Sequence, residues 1–431
     1  MSTIKLFVFH LLLILISTAA SIHASLRKLS EQEVKELVAS IQSHRLEASS
    51  SGSSTSSKVL GFVTPWNSAG YDVAKRSNHN IKYISPVWLQ LRPAQGRNAF
   101  EITGLQDVDL KWMKEVKKNN VGAKILPRIQ FDYAHWSKEY MQMFYGHATF
   151  SKQVHQPVVD RIGQLIRAYD LDGIVLEIGF LQFEHIKHVM VPFLKNLKEK
   201  LQGMQKSSRF EIYLVVPSVL PNPNDSNTPN ALFERDHLRL ISPYVDGFLV
   251  MTYDYFSNKR SRNQSTQYVF NSPLKGFIDY TVDYFTEGGK RSDIANKILL
   301  GLNFYGVEIS TKHLSSNKLL SQLVEEQRDV NSEELISNWL KTYASPKLDF
   351  IIGGKFKEHL NDYHLQNVLF DSDAQEYLFE FIEGDQLILV VFPTPQTIQT
   401  RVQFAKQHNL GGVMVWELGQ GLDSFYPSLS K

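Results

Sequence analysis

The chain has no cysteine in its 431 residues. A chain without cysteine cannot form disulfides, use a thiolate nucleophile or ligate zinc through sulfur. Its net charge is only +2, so the charge balance does not favour nucleic acid or an anionic membrane as a partner. Stability must come from an apolar core, and a chain of this length with 43% hydrophobic residues can bury a large one.

Long apolar runs are also scarce, and the one that stands out is at the N-terminus. Lys5 precedes an apolar stretch over residues 6–16, and small residues follow as far as Ala24. This order is typical of a secretory signal peptide, whereas a membrane anchor would need ~20 apolar residues. We therefore expect a signal peptide over residues 1–24 and no membrane span after its removal. Glycosylation sequons at Asn224 and Asn263 fit the secretory route.

Residues 25–57 are predicted to hold a helix and a linker. Ser30 and Glu33 can form a capping box at the start of a helix that extends to about Arg45. Residues 49–57 are all Ser, Gly or Thr, a composition typical of a flexible linker. The globular domain is therefore predicted to begin at about Lys58.

From Lys58 onward, short runs of β-branched and aromatic residues alternate with helical stretches, as in repeated βα units. Strands are predicted at residues 59–65, 81–91, 123–130, 173–179, 212–217, 247–253, 298–305 and 412–418. Eight such units indicate an α/β fold, the TIM (β/α)8 barrel. The alternative is an open doubly wound sheet, which is disfavoured because no glycine-rich phosphate loop follows the first strand.

The interval between the seventh and eighth strands is too long for a single helix. Residues 377–382 and 387–392 are rich in strand formers and flank a turn-like Glu383-Gly384-Asp385, so they are predicted to form a hairpin. Residues 350–352 and 368–370 can add further strands. We expect a small α+β insertion at about residues 310–393, followed by a helix over 395–408.

The predicted fourth strand carries one charged residue. Between Ile174 and Gly179 only Glu177 is charged, a pattern typical of a strand buried on both faces. Because side chains alternate along a strand, Glu177 shares its face with Val175 and Gly179. A buried carboxylate must be paired, protonated or directed at a ligand. Arg128, at the end of the third strand, could pair with it and stabilise the barrel without doing chemistry.

Asp172-Gly173 and the strand after it resemble the fourth-strand signature of glycoside hydrolase family 18, Asp-Gly-x-Asp-x-Asp-x-Glu. Met-Thr-Tyr-Asp at 251–254, Gly-Leu-Asn-Phe-Tyr-Gly at 301–306 and Gly-Val-Met-Val-Trp-Glu-Leu at 412–418 resemble three further motifs of that family, in the same order. Residues 63–67, 84–90 and 416–423 resemble its chitinase domain-containing protein subfamily. The resemblance covers nearly all of residues 58–431.

The resemblance implies roles for particular residues. Trp416 would form the floor of the central sugar subsite, Tyr253 would steady the N-acetyl group of the sugar, and Asp254 would contact the sugar. Met251 and Tyr305 belong to the same motifs and would line the mouth. The subfamily implies a secreted or lysosomal protein that binds saccharides with little or no hydrolytic activity. No cofactor and no metal are implied.

The departure from the family signature falls on the residue that hydrolysis most needs. Gly179 stands at the position of the proton-donating Glu, while Val175 and Glu177 replace the two inner aspartates. Glu177 is roughly 6.6 Å further down the strand than Gly179, and one additional methylene reaches only about 1.5 Å further. General acid catalysis commonly contributes about 10²–10⁴-fold, so we expect no efficient hydrolysis and regard Glu177 as a weak catalytic candidate.

Independently of the resemblance, three tryptophans lie near predicted strand ends: Trp66, Trp88 and Trp416. An indole offers an apolar face and one N–H donor, which suits stacking on a sugar ring. The alternative for each of them is packing within the barrel or its loops.

The leading hypothesis is a secreted, lysosomal or late-endosomal chitinase-like lectin for N-acetylglucosamine-type oligosaccharides. One alternative is a weakly active family 18 endoglycosidase that uses Glu177. Another is a protein-interaction scaffold without sugar affinity, for which the resemblance suggests a scavenger or sorting receptor as the partner.

Overall fold

The computed structural model describes residues 25–43, 57–76, 81–94, 100–146, 148–178, 189–204, 210–222, 229–257, 269–313, 317–327, 330–343 and 346–430. The predicted signal peptide, both sequons and Gly179 lie outside these ranges. No helix within them is long and apolar enough to cross a bilayer.

The strands, in chain order, are β1 (Leu26–Lys28), β2 (Lys58–Val63), β3 (Tyr83–Pro86), β4 (Leu89–Pro93), β5 (Phe100–Thr103), β6 (Lys124–Ile125), β7 (Arg128–Phe131), β8 (Gly173–Glu177), β9 (Glu211–Pro217), β10 (Gly247–Met251), β11 (Ile298–Asn303), β12 (Gly306–Lys312), β13 (Lys347–Ile351), β14 (His364–Asp371), β15 (Glu376–Glu383), β16 (Gln386–Val391) and β17 (Gly412–Trp416).

The α-helices, in chain order, are α1 (Glu31–Gln42), α2 (Ser68–Ala74), α3 (Leu110–Asn119), α4 (Lys138–Tyr145), α5 (Ala148–Ala168), α6 (Val191–Gly203), α7 (Arg235–Ile241), α8 (Asp279–Thr286), α9 (Ser292–Ala295), α10 (Leu320–Glu326), α11 (Ser332–Lys341), α12 (Gly353–Asp362) and α13 (Pro395–Gln407).

The barrel sheet runs in the order β4, β7, β8, β9, β10, β11, β17, β2, β3, β6, with β5 antiparallel at the outer edge of β4. β3 and β4 are two halves of the second barrel strand, and β6 and β7 are two halves of the third. Because β3 pairs with β6 and β4 pairs with β7, the ring closes. The predicted (β/α)8 barrel is confirmed, and the open sheet is excluded.

The second and third barrel strands were each predicted as one uninterrupted strand, but each is broken in two. The breaks follow Pro86 and include Pro127. Proline has no backbone N–H to give to a neighbouring strand, so the hydrogen-bond ladder is interrupted where it occurs. The N–H of Leu126 donates to the carbonyl of Ile84 at 2.9 Å, which keeps the two strands paired across the break.

The barrel strands divide their side chains between an interior cluster and an outer layer beneath the helices. On β8, Val175 belongs to the interior cluster, whereas Ile174 and Leu176 pack in the outer layer, which is the predicted alternation. The buried members of the interior cluster are Leu60, Phe62, Val87, Leu126, Val175, Tyr213, Val215, Leu249, Tyr253, Leu299 and Met414. Fully burying one valine or leucine contributes roughly 1.5–3 kcal/mol, so this cluster is a major part of the stability.

An ionic cluster closes the amino-terminal end of the barrel. Glu211, at the start of β9, pairs with Lys124 and with Lys58, whose Nζ lies 3.4 Å away. The hydroxyl of Tyr213 donates to Glu211 at 2.7 Å. Burial opposes ionisation of Glu211, but the hydrogen bonds from Lys124 and Tyr213 outweigh it and lower its pKa. This end of such barrels supports the fold, whereas the opposite end builds the site.

The insertion between β11 and β17 supplies five strands of a six-stranded sheet with the order β1, β14, β15, β16, β12, β13, and β1 comes from the N-terminal segment. The predicted hairpin is confirmed as β15 and β16, and its turn contains Gly384 in a left-handed conformation with φ 58°. The insertion begins with β12 at Gly306, slightly before the predicted start at about residue 310. The sheet packs on α10 and α11 and forms with them a hydrophobic core separate from that of the barrel. Trp339, on α11, belongs to this core and is 2% exposed.

Residues 25–43 are part of the fold, although the prediction placed them before the globular domain. The helix and its Ser30–Glu33 capping box are confirmed, and the helix buries Leu37 and Ile41. β1 pairs antiparallel with β14, and Leu26 joins the core of the insertion. The folded unit therefore includes this segment, because its apolar side chains are covered by the insertion and the barrel.

Candidate functional site

Polar and aromatic side chains gather where the barrel strands end. Side chains from many strands converge at the carboxyl end of such a barrel, which is where the sites of this architecture lie. The described residues at this mouth that the structure brings together are Arg128, Gln130, Glu177, Met251, Tyr253, Asp254, Asn303, Tyr305 and Trp416.

Glu177 forms an ion pair with Arg128 inside the mouth. Nη1 of Arg128 lies 2.6 Å from Oε2 of Glu177, and the two side chains are 11% and 25% exposed. Gln130 donates to Oε1 of Glu177 at 3.4 Å. The parallel register of β7 and β8 sets this contact, because it places Gln130 beside Glu177 and Arg128 beside Val175. The predicted pairing of Arg128 with Glu177 is confirmed.

Trp416 lies against this pair. The guanidinium carbon of Arg128 is 5.5 Å from the centre of the indole, a distance at which a cation is attracted to the ring. Phe62 contacts the indole with a centroid distance of 5.2 Å. Trp416 remains half-buried at the end of β17, so part of its surface is available to a ligand.

The loop after Trp416 is anchored by a buried carboxylate. Glu417 is 0% exposed; it accepts from Nδ2 of Asn67 at 2.5 Å and from the N–H of Gly419 at 3.0 Å. Burial raises the pKa of Glu417, while the two hydrogen bonds oppose the rise. These contacts join the loops that follow β17 and β2 and hold Trp416 in place.

A second polar group comes from the loops after β10 and β11. The hydroxyl of Tyr305 donates to Oδ1 of Asp254, and the rings of Tyr253 and Tyr305 meet edge to face at 6.4 Å. Burial raises the pKa of both phenols well above its usual value, so both keep their protons as donors. Burial also raises the pKa of Asp254, and the Tyr305 hydrogen bond opposes that rise.

The two groups are close enough to interact. Burial is the largest cause of the raised pKa of Tyr253. The charges of Asp254 and Glu177 add to the rise, and the charge of Arg128 opposes it. Met251 and Trp416 both pack against the interior cluster that contains Tyr253. The mouth therefore combines an indole face, the phenol donor of Tyr253, and the carboxylate of Asp254, which accepts from Tyr305 and is not paired with a cation among the described residues.

Asp254 has a left-handed backbone conformation, with φ 62°. This conformation costs a non-glycine residue free energy and persists when neighbouring groups hold it. Asn271 holds Asp254 in this conformation, because its Oδ1 accepts from the N–H of Asp254 at 2.8 Å. The carbonyl of Tyr305 is held in a similar way, since Nδ2 of Asn303 donates to it at 2.8 Å.

The other two predicted tryptophans differ in position. Trp66 is 70% exposed in the turn after β2, on the same side of the barrel as the mouth. Trp88 is 0% exposed; its N–H donates to the hydroxyl of Tyr71 at 2.6 Å, and its ring packs on Trp112 at 5.8 Å. Trp88 thus lies beneath α2 and α3, and this placement fits the packing alternative and not a stacking role.

Sequence reasoning missed three residues that shape the site: Gln130, Asn271 and Glu417. The period of a strand already places Gln130 on the face of Arg128. Asn271 begins an Asn-Ser-Pro turn signal, and Glu417 directly follows the tryptophan of the eighth-strand motif. The described residues contain no cluster of three His, Asp or Glu side chains that could hold a metal ion.

Comparisons with known proteins agree with this architecture. A family 18 chitinase from Cycas revoluta, solved with (GlcNAc)3, is 15% identical with a TM-score of 0.61, over 86% of this chain and 98% of that chain. A chitinase-like agglutinin from Robinia pseudoacacia is 18% identical with a TM-score of 0.61, over 86% and 98%. A chitinase from Chromobacterium violaceum is 14% identical with a TM-score of 0.60, over 87% and 98%.

At these identities the solved structures show a shared fold. Residues 58–421 also fit the sequence model of Glycosyl hydrolases family 18. That range includes all the barrel strands and the insertion. The chain therefore belongs to glycosyl hydrolase family 18.

Proposed function

We propose that this protein is a chitinase-like lectin that binds N-acetylglucosamine-containing oligosaccharides at the barrel mouth without hydrolysing them efficiently. The observation that carries the proposal is the ion pair between Arg128 and Glu177 at 2.6 Å. A carboxylate held by a guanidinium offers no proton to a leaving oxygen, and residue 179 is a glycine. Family 18 hydrolysis is assisted by the substrate and uses one carboxylic acid as proton donor. When that acid is missing, no second catalytic carboxylate takes its place.

The groups needed for recognition remain in place. The half-buried indole of Trp416 can stack on a pyranose ring. Tyr253 keeps its proton and can donate to a carbonyl or hydroxyl oxygen, whereas the one O–H of Tyr305 is used on Asp254 and orients that carboxylate as an acceptor. The complex of the Cycas revoluta chitinase with (GlcNAc)3 and the description of the Robinia pseudoacacia protein as an agglutinin support this ligand class and a binding role.

The cellular location belongs to the same proposal. Residues 1–24 have the order of a secretory signal peptide. We propose that the protein enters the secretory pathway and is secreted or reaches the lysosome or late endosome. Fractionation of cells that express the full chain, together with sequencing of the mature N-terminus, tests this step. Residence in the cytosol with an uncleaved leader would contradict it.

The proposed function is tested by measuring binding and turnover on the same protein. We expect isothermal titration calorimetry to detect (GlcNAc)4, and a fluorogenic chitotrioside to remain intact. Trp416→Ala should abolish binding. Trp88→Phe is the matched control, since it alters a buried indole away from the mouth and should leave affinity unchanged.

Two outcomes would replace this proposal with an alternative. Turnover that disappears in Glu177→Gln would identify a weakly active endoglycosidase. Failure of the wild-type protein to bind any glycan on an array would favour a protein-interaction scaffold.

A further inference from the structure

Asn271 is a buried amide whose polar groups are all engaged. It is 1% exposed. Its Oδ1 accepts from the N–H of Asp254 at 2.8 Å, its Nδ2 donates to the carbonyl of Tyr305 at 3.4 Å, and its own carbonyl accepts from the N–H of Tyr255 at 3.0 Å. A buried amide satisfied in this way is fixed in orientation, because rotating it would leave buried donors and acceptors unpaired.

The backbone of Asn271 is held from the insertion. The N–H groups of Asn271 and Ser272 donate to the two carboxylate oxygens of Glu376, at 3.0 and 3.1 Å. Glu376 lies on β15 and is 5% exposed. Arg401 on α13 lies 3.7 Å from Glu376 and donates to the carbonyl of Ser272 at 2.5 Å. A buried ion pair between the insertion and the last barrel helix therefore fixes this segment.

The segment around Asn271 connects two loops that follow different barrel strands. Asp254 follows β10 and Tyr305 follows β11, and the side chain of Asn271 binds the backbone of both. Ser272 adds a third contact, since its Oγ donates to the carbonyl of Thr252 at 2.6 Å. The hydrogen bond from Tyr305 to Asp254 forms only when both backbones are correctly placed, and the left-handed Asp254 in particular needs an external partner.

We infer that Asn271 is a positioning residue of the saccharide site: it aligns Asp254 with Tyr305, and Glu376 of the insertion aligns Asn271. The identity of the ligand rests on the proposed function, whereas the alignment is a property of the unliganded protein. The insertion thus takes part in recognition through residues behind the binding surface. Small misplacements of polar groups in a site reduce binding and rate strongly, so the effect should be large.

The first test compares Asn271→Ala with Asn120→Ala. Asn120 is also 1% exposed; its Nδ2 donates to the carbonyl of Ile81 at 2.7 Å and its Oδ1 accepts from Lys82 at 2.8 Å. It lies at the amino-terminal end of the barrel, away from the mouth. Both variants lose one buried amide. We expect the Kd for (GlcNAc)4 to rise at least about tenfold in Asn271→Ala and less than about twofold in Asn120→Ala.

The second test uses Asn271→Asp, which keeps the shape and the acceptor and is the variant to use if Asn271→Ala does not fold. As a carboxylate it cannot donate to the carbonyl of Tyr305, but its protonated form can. Burial and the neighbouring carboxyl groups of Asp254 and Glu376 disfavour ionisation of an aspartate at this position, so the affinity of Asn271→Asp relative to wild type should recover as pH falls from 7 to 5. The titratable or charged groups around the position are Asp254, Tyr255, Tyr305, Glu376 and Arg401. Burial raises the pKa of Glu376 to about 7, so the wild-type profile over the same pH range is measured to show what these groups contribute without the substitution.

The crystal structure of unliganded Asn271→Ala separates this inference from the proposed function. If wild-type protein binds no N-acetylglucosamine oligomer, the proposed function fails, but the structure still decides the positioning role. Loss of the hydrogen bond between Tyr305 and Asp254 supports it. An intact hydrogen bond in that structure, or a flat relative pH profile in Asn271→Asp with wild-type affinity, overturns it.

Discussion

Replacing Arg128 with methionine removes the guanidinium that lies between Glu177 and Trp416 in the barrel mouth. Unit charges about 4 Å apart interact by about 4 kcal/mol at an effective dielectric constant of 20. Breaking a fully buried pair from one side costs about 3–5 kcal/mol, because the remaining charge is left unpaired. The side chains here are 11% and 25% exposed. Solvent screening reduces the expected loss for Arg128→Met to about 2–3 kcal/mol of unfolding free energy.

The interaction itself is measured by a double-mutant cycle with Glu177→Leu. Removing both charges should cost much less than the sum of the single changes, with a coupling energy of about 2 kcal/mol. Urea denaturation followed by tryptophan fluorescence at pH 7 gives the four values. Arg161→Met is the control, since Arg161 is exposed on α5 and bonds only to Gln164 in the described structure; its effect should stay within about 0.5 kcal/mol.

Two results would refute this reasoning. Additive single changes would show that Arg128 and Glu177 do not stabilise each other. Chitotrioside hydrolysis that appears in Arg128→Met and disappears again in Arg128→Met/Glu177→Gln would show that Glu177 is a latent acid, which would contradict a purely structural role for the pair.

Three further predictions concern stability. Burial raises the pKa of Glu333 from 4.5 to about 7, so the folded protein binds the proton more tightly than the unfolded chain, and stability should rise by about 1–2 kcal/mol as pH falls from 7 to 5. Thermal unfolding should show this rise, and Glu333→Gln should reduce it; an equal slope in the variant would contradict the assignment. Glu211→Gln should lower the free energy of unfolding, measured by urea denaturation, by about 2 kcal/mol, because Lys58 and Lys124 lose their carboxylate partner. Calorimetry should show unchanged affinity of this variant for (GlcNAc)4. Leu26→Asp should cost about 3 kcal/mol and speed amide hydrogen exchange in β14, and unaltered exchange there would show that β1 does not stabilise the insertion sheet.

Much of the barrel was predictable because its strands carry their own pattern. A strand buried on both faces is a short apolar run, and β8 follows its predicted alternation residue by residue. The pair of Arg128 and Glu177 was predictable for a related reason, since two opposite charges on adjacent buried strands have few other partners. The alternation of side chains along a strand also explains why Trp88 packs outside the barrel. Val87 points into the barrel, so the next residue must point out.

The remaining features depend on contacts between segments far apart in the chain. β1 is three residues long and becomes a strand through its pairing with β14, which no local pattern encodes. The role of Asn271 depends on the backbone groups of Asp254 and Tyr305, and these belong to loops whose placement requires the folded barrel. Backbone partners leave no signature in the sequence, so a buried amide in a turn cannot be distinguished from any other turn residue.

The pairing of β1 with β14 has a consequence for synthesis. Leu26 leaves the ribosome among the first residues of the folded unit, whereas Asp371, its partner in register, is made later. At typical translation rates of about 5–20 residues per second, the wait is roughly 20–70 s. During that time Leu26 and the apolar face of α1 have nothing to cover them, so this early segment docks among the last and is available to chaperones until then.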